Sequence, residues 1–259
     1  MFDRMPGRQR CRQSISGQWP ALIRQGRPIE RPVLLDHYKV LPRFFWQIQG
    51  CEVVELGSLI LALCGKAEPQ FMITIADLKL SSQLIEDLAW PFDFDLTRAD
   101  DDASWIKLDP ETPFDVIAGE GTGGIFLTYG IGDKETLPIL HATSEGQSGR
   151  VAENLTEFLG VLMAVPYWRD LLKFSGNGSL AEMRKTAEFM ECEYAHDYPN
   201  LSEAQNRIMG VLPIPEIKDP VKVLHDSIHA TDCVLVADDG WRYESLFNSF
   251  VASDNRNWQ

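Results

Sequence analysis

Apolar residues in the first third of the chain follow patterns that predict a helix and several strands. Residues 38–49 carry apolar side chains at helical spacing and predict a short helix. Residues 51–56 and 59–63 are rich in β-forming side chains, and the Gly-Ser pair between them is typical of a hairpin. Residues 71–76 predict a third strand. This region is therefore expected to begin an antiparallel sheet.

A second group of apolar runs lies near the middle of the chain. Residues 114–118, 125–129 and 139–143 each predict a strand, and the glycine-rich run 119–124 lies between the first two. Short polar and glycine-rich linkers of this kind join antiparallel neighbours. We therefore expect these strands to extend the antiparallel sheet.

The chain after residue 150 is predicted to be mainly helical. Asn154 has the side chain of a helix N-cap, and Glu157 follows it at the spacing of a capping partner. Further predicted helices cover residues 167–174, 180–194, 202–211 and 221–230, followed by a short strand at 233–237. The fold class is accordingly α+β: a mostly antiparallel, twisted sheet backed by helices, with a helical C-terminal extension.

Length and composition divide this pattern into three segments. The 259 residues can bury one sizeable core or two modest ones. Residues 1–31 have little periodicity and are expected to form a basic, flexible arm. Residues 32–175 are expected to form the α+β core, and residues 176–259 a helical extension packed on it.

The charge of the chain is distributed unevenly. Seven arginines and two acidic residues give residues 1–31 a net charge of +5, so the remainder carries −19 of the total of −14. Such a field repels nucleic acids and anionic membranes and speeds the capture of cationic partners. The acidity could equally serve only to keep the protein in solution.

Cysteine usage and hydropathy indicate a protein of the cell interior. The five cysteines are odd in number and widely spaced, so reduced, buried thiols are expected. No run approaches the length of a membrane span, and the basic arm lacks the apolar region of a secretory signal. We expect a cytoplasmic protein, and the sequence leaves its oligomeric state open.

Residues 81–111 form the most acidic segment of the chain and also contain several aromatic residues. Carboxylates interleaved with aromatic rings suit a surface that binds a basic protein, although the same carboxylates could form a solvated face. The hypothesis is that this segment faces a partner. The residues proposed for this surface are Glu86, Asp87, Asp93, Asp95, Asp100, Asp101, Asp102 and Trp105.

Several catalytic motifs are matched only in part. Gly119, Gly121 and Gly124 have GxGxxG spacing, but a dinucleotide site needs this loop to open a helix, and the following residues predict a strand. The glycines are therefore assigned to a hairpin. The chain also lacks the His-Arg-Asp and Asp-Phe-Gly motifs of kinases and the GxSxG motif of serine hydrolases.

Asp93 and Asp95 resemble the DxDxT nucleophile loop of haloacid-dehalogenase-type phosphatases, and residues 234–239 resemble the late acidic motif that holds magnesium there. In that chemistry the first aspartate attacks phosphorus, the second transfers the proton, and both follow a buried parallel strand. Trp90-Pro91 occupies that strand position, and proline disfavours a central strand. A magnesium-dependent phosphatase is therefore a distant alternative.

Two histidines have the spacing of metal ligands on a helix. His225 and His229 lie four residues apart near Asp226 and Cys233, but the sequence supplies no HExxH motif. We predict packing or surface histidines and leave metal binding open. No metal site, no cofactor and no catalytic residue is predicted.

Two longer runs resemble a known family. Residues 114–127 (FDVIAGEGTGGIFL) and residues 144–159 (SEGQSGRVAENLTEFL) resemble the SUKH superfamily. That family has a strand ending in small residues, a glycine-rich hairpin, a second strand, and a Glu-Gly turn that leads to a helix. The resemblance is strongest over residues 114–165 and extends over residues 33–175 if weaker similarity is accepted.

The resemblance implies a non-enzymatic binding protein. Many bacterial SUKH proteins are immunity proteins that neutralise a toxin, often a nuclease or a deaminase, and others are scaffolds or regulators. The acidic body agrees with an immunity protein that occludes a basic surface of a cognate toxin. The alternative is an intracellular scaffold or regulatory protein of the same fold. Neither interpretation involves a nucleic acid or a membrane.

Overall fold

The computed structural model describes residues 72–99 and 103–258. The predicted arm at 1–31, the predicted helix at 38–49, the predicted strands at 51–56 and 59–63, and Asp100, Asp101 and Asp102 lie outside these residues. Within the described residues, no helix has the combined length and apolarity needed to cross a membrane.

Two sheets form the β-structure of the described residues. In the main sheet the order is β2-β3-β4-β5-β7, with antiparallel pairs except for the parallel pair β5-β7. Strands β1 and β6 form a separate antiparallel pair. The strands are β1 (Ile106–Asp109), β2 (Phe114–Gly119), β3 (Ile125–Tyr129), β4 (Ile139–Ala142), β5 (Gln147–Ala152), β6 (Val234–Ala237) and β7 (Glu244–Ser245).

Seven α-helices accompany these sheets in the described residues. They are α1 (Ile75–Leu78), α2 (Ser82–Ala89), α3 (Leu155–Ala164), α4 (Trp168–Lys173), α5 (Leu180–Asp197), α6 (Leu201–Val211) and α7 (Pro220–His229). Asn154 caps α3 as predicted, because its side chain accepts a hydrogen bond of 2.9 Å from the amide of Glu157. The predicted α+β class is confirmed, with a mostly antiparallel sheet and helices in the C-terminal part.

Three local predictions differ from the structure. The strand predicted at 71–76 is wrong, because the Thr74 hydroxyl accepts from the Asp77 amide and Asp77 accepts from the Thr74 amide, which starts helix α1 at Ile75. Strand β5 was not predicted, since its Gln-Ser-Gly-Arg run lacks alternating apolar residues. The expectation of buried thiols is correct for Cys233 but wrong for Cys192, which is exposed.

Strand β3 lies between two hydrophobic clusters. Phe126 faces the main core, where its ring contacts Phe94, Phe158 and Trp168 at centroid distances of 5.0, 5.3 and 6.2 Å. Leu127 points to the opposite face and joins a smaller cluster that includes residues of β1 and β6. Alternate side chains of a strand point to opposite faces, so all five residues of β3 are buried.

The predicted glycine hairpin joins β2 to β3. Gly123 has φ of +94°, a left-handed conformation that glycine adopts without strain. Gly124 is needed for a different reason, because a Cβ atom there would lie 2.7 Å from the carbonyl oxygen of Ala142 and would overlap the Glu120 carboxylate. The hairpin therefore requires glycine at 124 so that the Glu120 side chain can fold back against it.

A pair of glycine substitutions tests this packing. We expect Gly124→Ala to lower the free energy of unfolding by about 1–3 kcal/mol through overpacking. Gly210→Ala in helix α6 is the matched control, because a Cβ atom there meets nothing within 4 Å. This control variant should raise the free energy of unfolding by up to about 1 kcal/mol, since alanine favours the helical conformation more than glycine does. Urea unfolding of both variants checks this, and equal effects would contradict the packing argument.

Candidate functional site

The loop after helix α2 is fastened to the β2-β3 hairpin. Asp95 and Gly119 exchange two backbone hydrogen bonds of 2.9 and 3.0 Å. Asp93 has φ of +56°, and its carboxylate accepts a hydrogen bond of 2.7 Å from the amide of Gly121. Aspartate tolerates this left-handed conformation better than most residues, and the side-chain bond holds it there. The loop therefore brings two carboxylates to the rim of the hairpin.

A buried charge cluster lies beneath this rim. Glu120 is 3% exposed, and its carboxylate accepts a hydrogen bond of 2.7 Å from the Thr122 hydroxyl. His141 on β4 is fully buried and places Nε2 3.3 Å from Glu120 Oε2. Arg169 on α4 forms ion pairs with Glu120 and, at 2.8 Å, with Asp93. The cluster thus joins the hairpin, β4, α4 and the Asp93 loop.

The cluster sets the charge state of its members. Burial alone would raise the pKa of Glu120, but the hydrogen bond from His141 and the charges and hydrogen bonds around the carboxylate lower it to about 2. Burial lowers the pKa of His141 in spite of the nearby Glu120, so this imidazole is neutral at neutral pH. Arg169 is then the cation that balances Glu120.

An aromatic cleft of about 470 Å³ opens next to Arg169. Its wall is a series of four aromatic rings. The distances between ring centroids are 6.0 Å for Tyr167 and Tyr194, 4.3 Å for the stacked pair Tyr194 and Tyr198, and 5.1 Å for Tyr198 and Trp90. The carboxylates of Asp93, Asp95 and Asp170 and the guanidinium groups of Arg98 and Arg169 line the remainder. The cleft combines π-faces with charged groups.

A second cleft shares Trp90 and Tyr198 with the first. It has a volume of about 360 Å³, and both of these rings line it together with Glu86, Asp87 and Asp197. Trp90 is 68% exposed, which is unusual for so large an apolar side chain. We call Trp90 and Tyr198 the aromatic ridge. The ridge is flanked by carboxylates in both clefts.

The residues predicted to face a partner are brought together only in part. Asp93 and Asp95 line the first cleft and Glu86 lines the second. Asp87 also lines the second cleft but is buried, and Arg207 donates two hydrogen bonds of 2.8 and 2.7 Å to its carboxylate. Trp105 precedes β1 and lies with the smaller sheet, outside both clefts.

Internal ion pairs change the role of these carboxylates. The bidentate hydrogen bonds from Arg207 lower the pKa of Asp87, so this carboxylate holds α2 against α6. Asp95 is likewise paired with Arg98 at 3.0 Å. Of the predicted acidic residues that the structure describes, Glu86 is the one with an exposed side chain and no ion pair within the described part of the chain. In the described part of the segment, fewer carboxylates are free to meet a partner than the sequence suggests.

The phosphatase geometry is not met. The mechanism needs Asp93 and Asp95 at the end of a buried parallel strand. In the structure both follow helix α2, and Asp95 takes part in an antiparallel bridge to Gly119. Residues 234–237 belong to β6, in the other sheet. The alternative of a phosphatase that uses Asp93 and Asp95 therefore has no structural support.

The predicted histidine pair has other partners. His225 and His229 are adjacent, with ring centroids 4.4 Å apart. His225 Nδ1 lies 2.9 Å from the Asp226 carboxylate, and its Nε2 lies 3.1 Å from the carbonyl oxygen of Gly178. Among residues 72–99 and 103–258, no group of three metal-ligating side chains could hold an ion.

Sequence reasoning missed the buried cluster and the rings of the cleft. In the sequence, Glu120 belongs to a glycine-rich run and His141 to an apolar strand region, and neither position indicates a charge cluster. Glu120 and Arg169 are 49 positions apart, so no local pattern joins them. One signal was available: a histidine inside an apolar strand region, as at His141, requires a buried polar partner.

The ionised state of Glu120 predicts a pH dependence of stability. Its pKa falls from 4.5 in the unfolded chain to about 2 in the fold, so its contribution is complete above pH 4.5 and is lost as the pH falls towards about 2. We expect Glu120→Gln to lower the unfolding free energy by about 2–4 kcal/mol at neutral pH, because Arg169 loses a buried partner. The deficit should shrink in acid.

Glu153→Gln is the matched control for this measurement. Glu153 is 60% exposed and also pairs with an arginine, Arg150. Loss of this ion pair should lower the free energy of unfolding by less than about 1 kcal/mol, because exposed ion pairs contribute little to stability. Urea unfolding at several pH values compares the two variants. A pH-independent deficit for Glu120→Gln would contradict the assigned charge state.

Comparison with known proteins gives no relative from which a function could be transferred. Neither protein-family models, nor curated proteins, nor solved structures gave a match to the chain. The resemblance of residues 114–165 to the SUKH superfamily therefore stays a prediction. What is known of the site rests on its own geometry: a buried charge cluster, an aromatic ridge and two flanking clefts.

Proposed function

We propose that this chain is a non-enzymatic binding protein of the SUKH type that neutralises a cognate bacterial toxin by occluding a basic surface of the toxin. The observation that carries the proposal is the aromatic ridge between two clefts lined by carboxylates. The sequence resemblance over residues 114–165 supplies the class of partner. The proposal involves no catalytic step.

The ridge has the composition of an interface anchor. Exposed tryptophan and tyrosine side chains dominate the binding energy of many protein interfaces, because they bury a large area with little loss of conformational freedom. Trp90 exposes most of its surface, and its ring centroid lies 5.1 Å from that of Tyr198 in a tilted contact. Insertion of Trp90 between basic residues of a toxin would slow dissociation.

The charge of the chain supports a cationic partner. Residues 32–259 carry a net charge of −19, and carboxylates outnumber guanidinium groups in the lining of both clefts beside the ridge. Long-range attraction of this kind raises association rates and is weakened by salt. The proposed partner surface is therefore basic, as expected for a nuclease that contacts nucleic acid.

The proposal is tested by isolating the partner and substituting the ridge. The tagged full chain is used to purify partners from its own cells, and each protein identified by mass spectrometry is expressed alone and together with the chain. We expect one partner that kills cells when expressed alone and is neutralised by the wild-type chain. Trp90→Ala should weaken binding at least about 30-fold, the effect of losing about 2 kcal/mol at an anchor, and should abolish the rescue.

Trp241→Ala is the matched control, because Trp241 is 60% exposed but lies outside the ridge and both clefts. It should change the affinity by less than about threefold. Several partners of modest affinity that do not respond to Trp90→Ala would instead favour an intracellular scaffold or regulator. Recovery of no partner that kills cells when it is expressed alone would overturn the proposal.

A further inference from the structure

The charges of the 470 Å³ cleft do not balance. Arg169 pairs with Asp93 at 2.8 Å and also with the buried Glu120, and Arg98 pairs with Asp95 at 3.0 Å, so both of the cleft's cations already have carboxylate partners. Asp170 is the third carboxylate of the lining. Within the described part of the chain, no hydrogen bond or ion pair reaches its carboxylate. Among the residues that line the cleft, three carboxylates therefore face two guanidinium groups, and Asp170 is the carboxylate without an ion pair in the described part of the chain.

The environment of Asp170 makes this charge costly. Asp170 lies in the first turn of α4 and is partly removed from water. Burial raises its pKa, the nearby charges of Lys173 and Arg169 offset this shift only in part, and the negative charge of Glu193 on α5 adds to it. A partly desolvated carboxylate without a partner gains more from a bound cation than an exposed carboxylate does.

The aromatic wall provides a second attraction for a cation. Tyr167, Tyr194, Tyr198 and Trp90 all line the same cleft as Asp170. The hydroxyl of Tyr194 donates a hydrogen bond of 2.8 Å to the carbonyl oxygen of Pro91, which fixes the position of that ring. Aromatic faces attract cations, and a guanidinium group also stacks on them because it is planar.

We infer that this cleft binds the side chain of a single arginine, with Asp170 as its counter-ion and the Tyr194, Tyr198 and Trp90 rings as its stacking surface. The inference rests on the proposed function, in that the arginine is contributed by the basic partner. A volume of about 470 Å³ accommodates one long side chain. Arginine fits better than lysine, since it can stack and pair with a carboxylate at the same time.

Small probes test the cleft without the partner. The full chain is titrated with N-acetyl-arginine amide, its neutral analogue N-acetyl-citrulline amide and N-acetyl-lysine amide, and the Trp90 indole N–H resonance is followed by NMR. The resonance is assigned with Trp90→Phe. We expect saturable binding of the arginine probe, several-fold weaker binding of the lysine probe, and no shift with citrulline.

The variant Asp170→Asn shows whether weaker binding is due to loss of the counter-ion or to a general effect on the fold. This variant should bind the arginine probe at least tenfold more weakly and unfold at the same temperature as the wild type or a higher one, because burial disfavours the charged carboxyl. The control Asp238→Asn, in the exposed turn after β6, should bind as the wild type does. As the pH falls, the wild type should lose its binding of the arginine probe at a higher pH than the pKa of an ordinary aspartate would give, because the pKa of Asp170 is raised.

Failure of the arginine site and failure of the proposed function give different results in the probe titration and in the toxin experiment. Equal binding of arginine and citrulline, or unchanged binding by Asp170→Asn, would overturn the arginine site even if a toxin is neutralised and Trp90→Ala abolishes the rescue. Conversely, selective arginine binding without any toxic partner would leave the site standing and overturn the proposed function. Stronger binding of lysine than of arginine would contradict the assigned stacking surface.

Discussion

Glu120 carries a negative charge that is almost completely removed from water, and this constrains the centre of the described fold. A buried carboxylate is tolerated only where charged and hydrogen-bonded partners replace its hydration. Arg169 from α4, Thr122 from the hairpin and His141 from β4 are those partners. One side chain thereby fixes the relative positions of three elements, and glycine at 124 leaves room for it.

The same cluster shapes the surface above it. Arg169 pairs with both Glu120 and Asp93, so the cation that stabilises the interior also neutralises a carboxylate of the aromatic cleft. Asp170, the next residue of α4, is left without such a partner among the described residues. The inferred preference of the cleft for a cation is thus a consequence of how the interior is neutralised.

Charge and aromatic surface have separate parts in the proposed function. The net charge acts over long distances and affects how fast a basic partner arrives. In the proposed complex, the ridge of Trp90 and Tyr198 would act only in contact and would slow the dissociation of the partner. Several acidic residues that contribute to the charge, such as Asp87 and Asp95, also form internal ion pairs, so a high acidic content does not by itself mark a contact surface.

The sequence by itself determined the elements whose hydrogen bonds and apolar contacts are local. Asn154 capped α3, residues 125–129 formed a buried strand, and the glycine run formed a hairpin. Tertiary structure alone decided that Arg207 pairs with Asp87 from 120 positions away, that β5 completes a sheet, and that Tyr198, just after α5, meets Trp90. The reason is physical: a cap or a turn is satisfied within a few residues, whereas a buried charge or a cleft needs groups that only folding brings together.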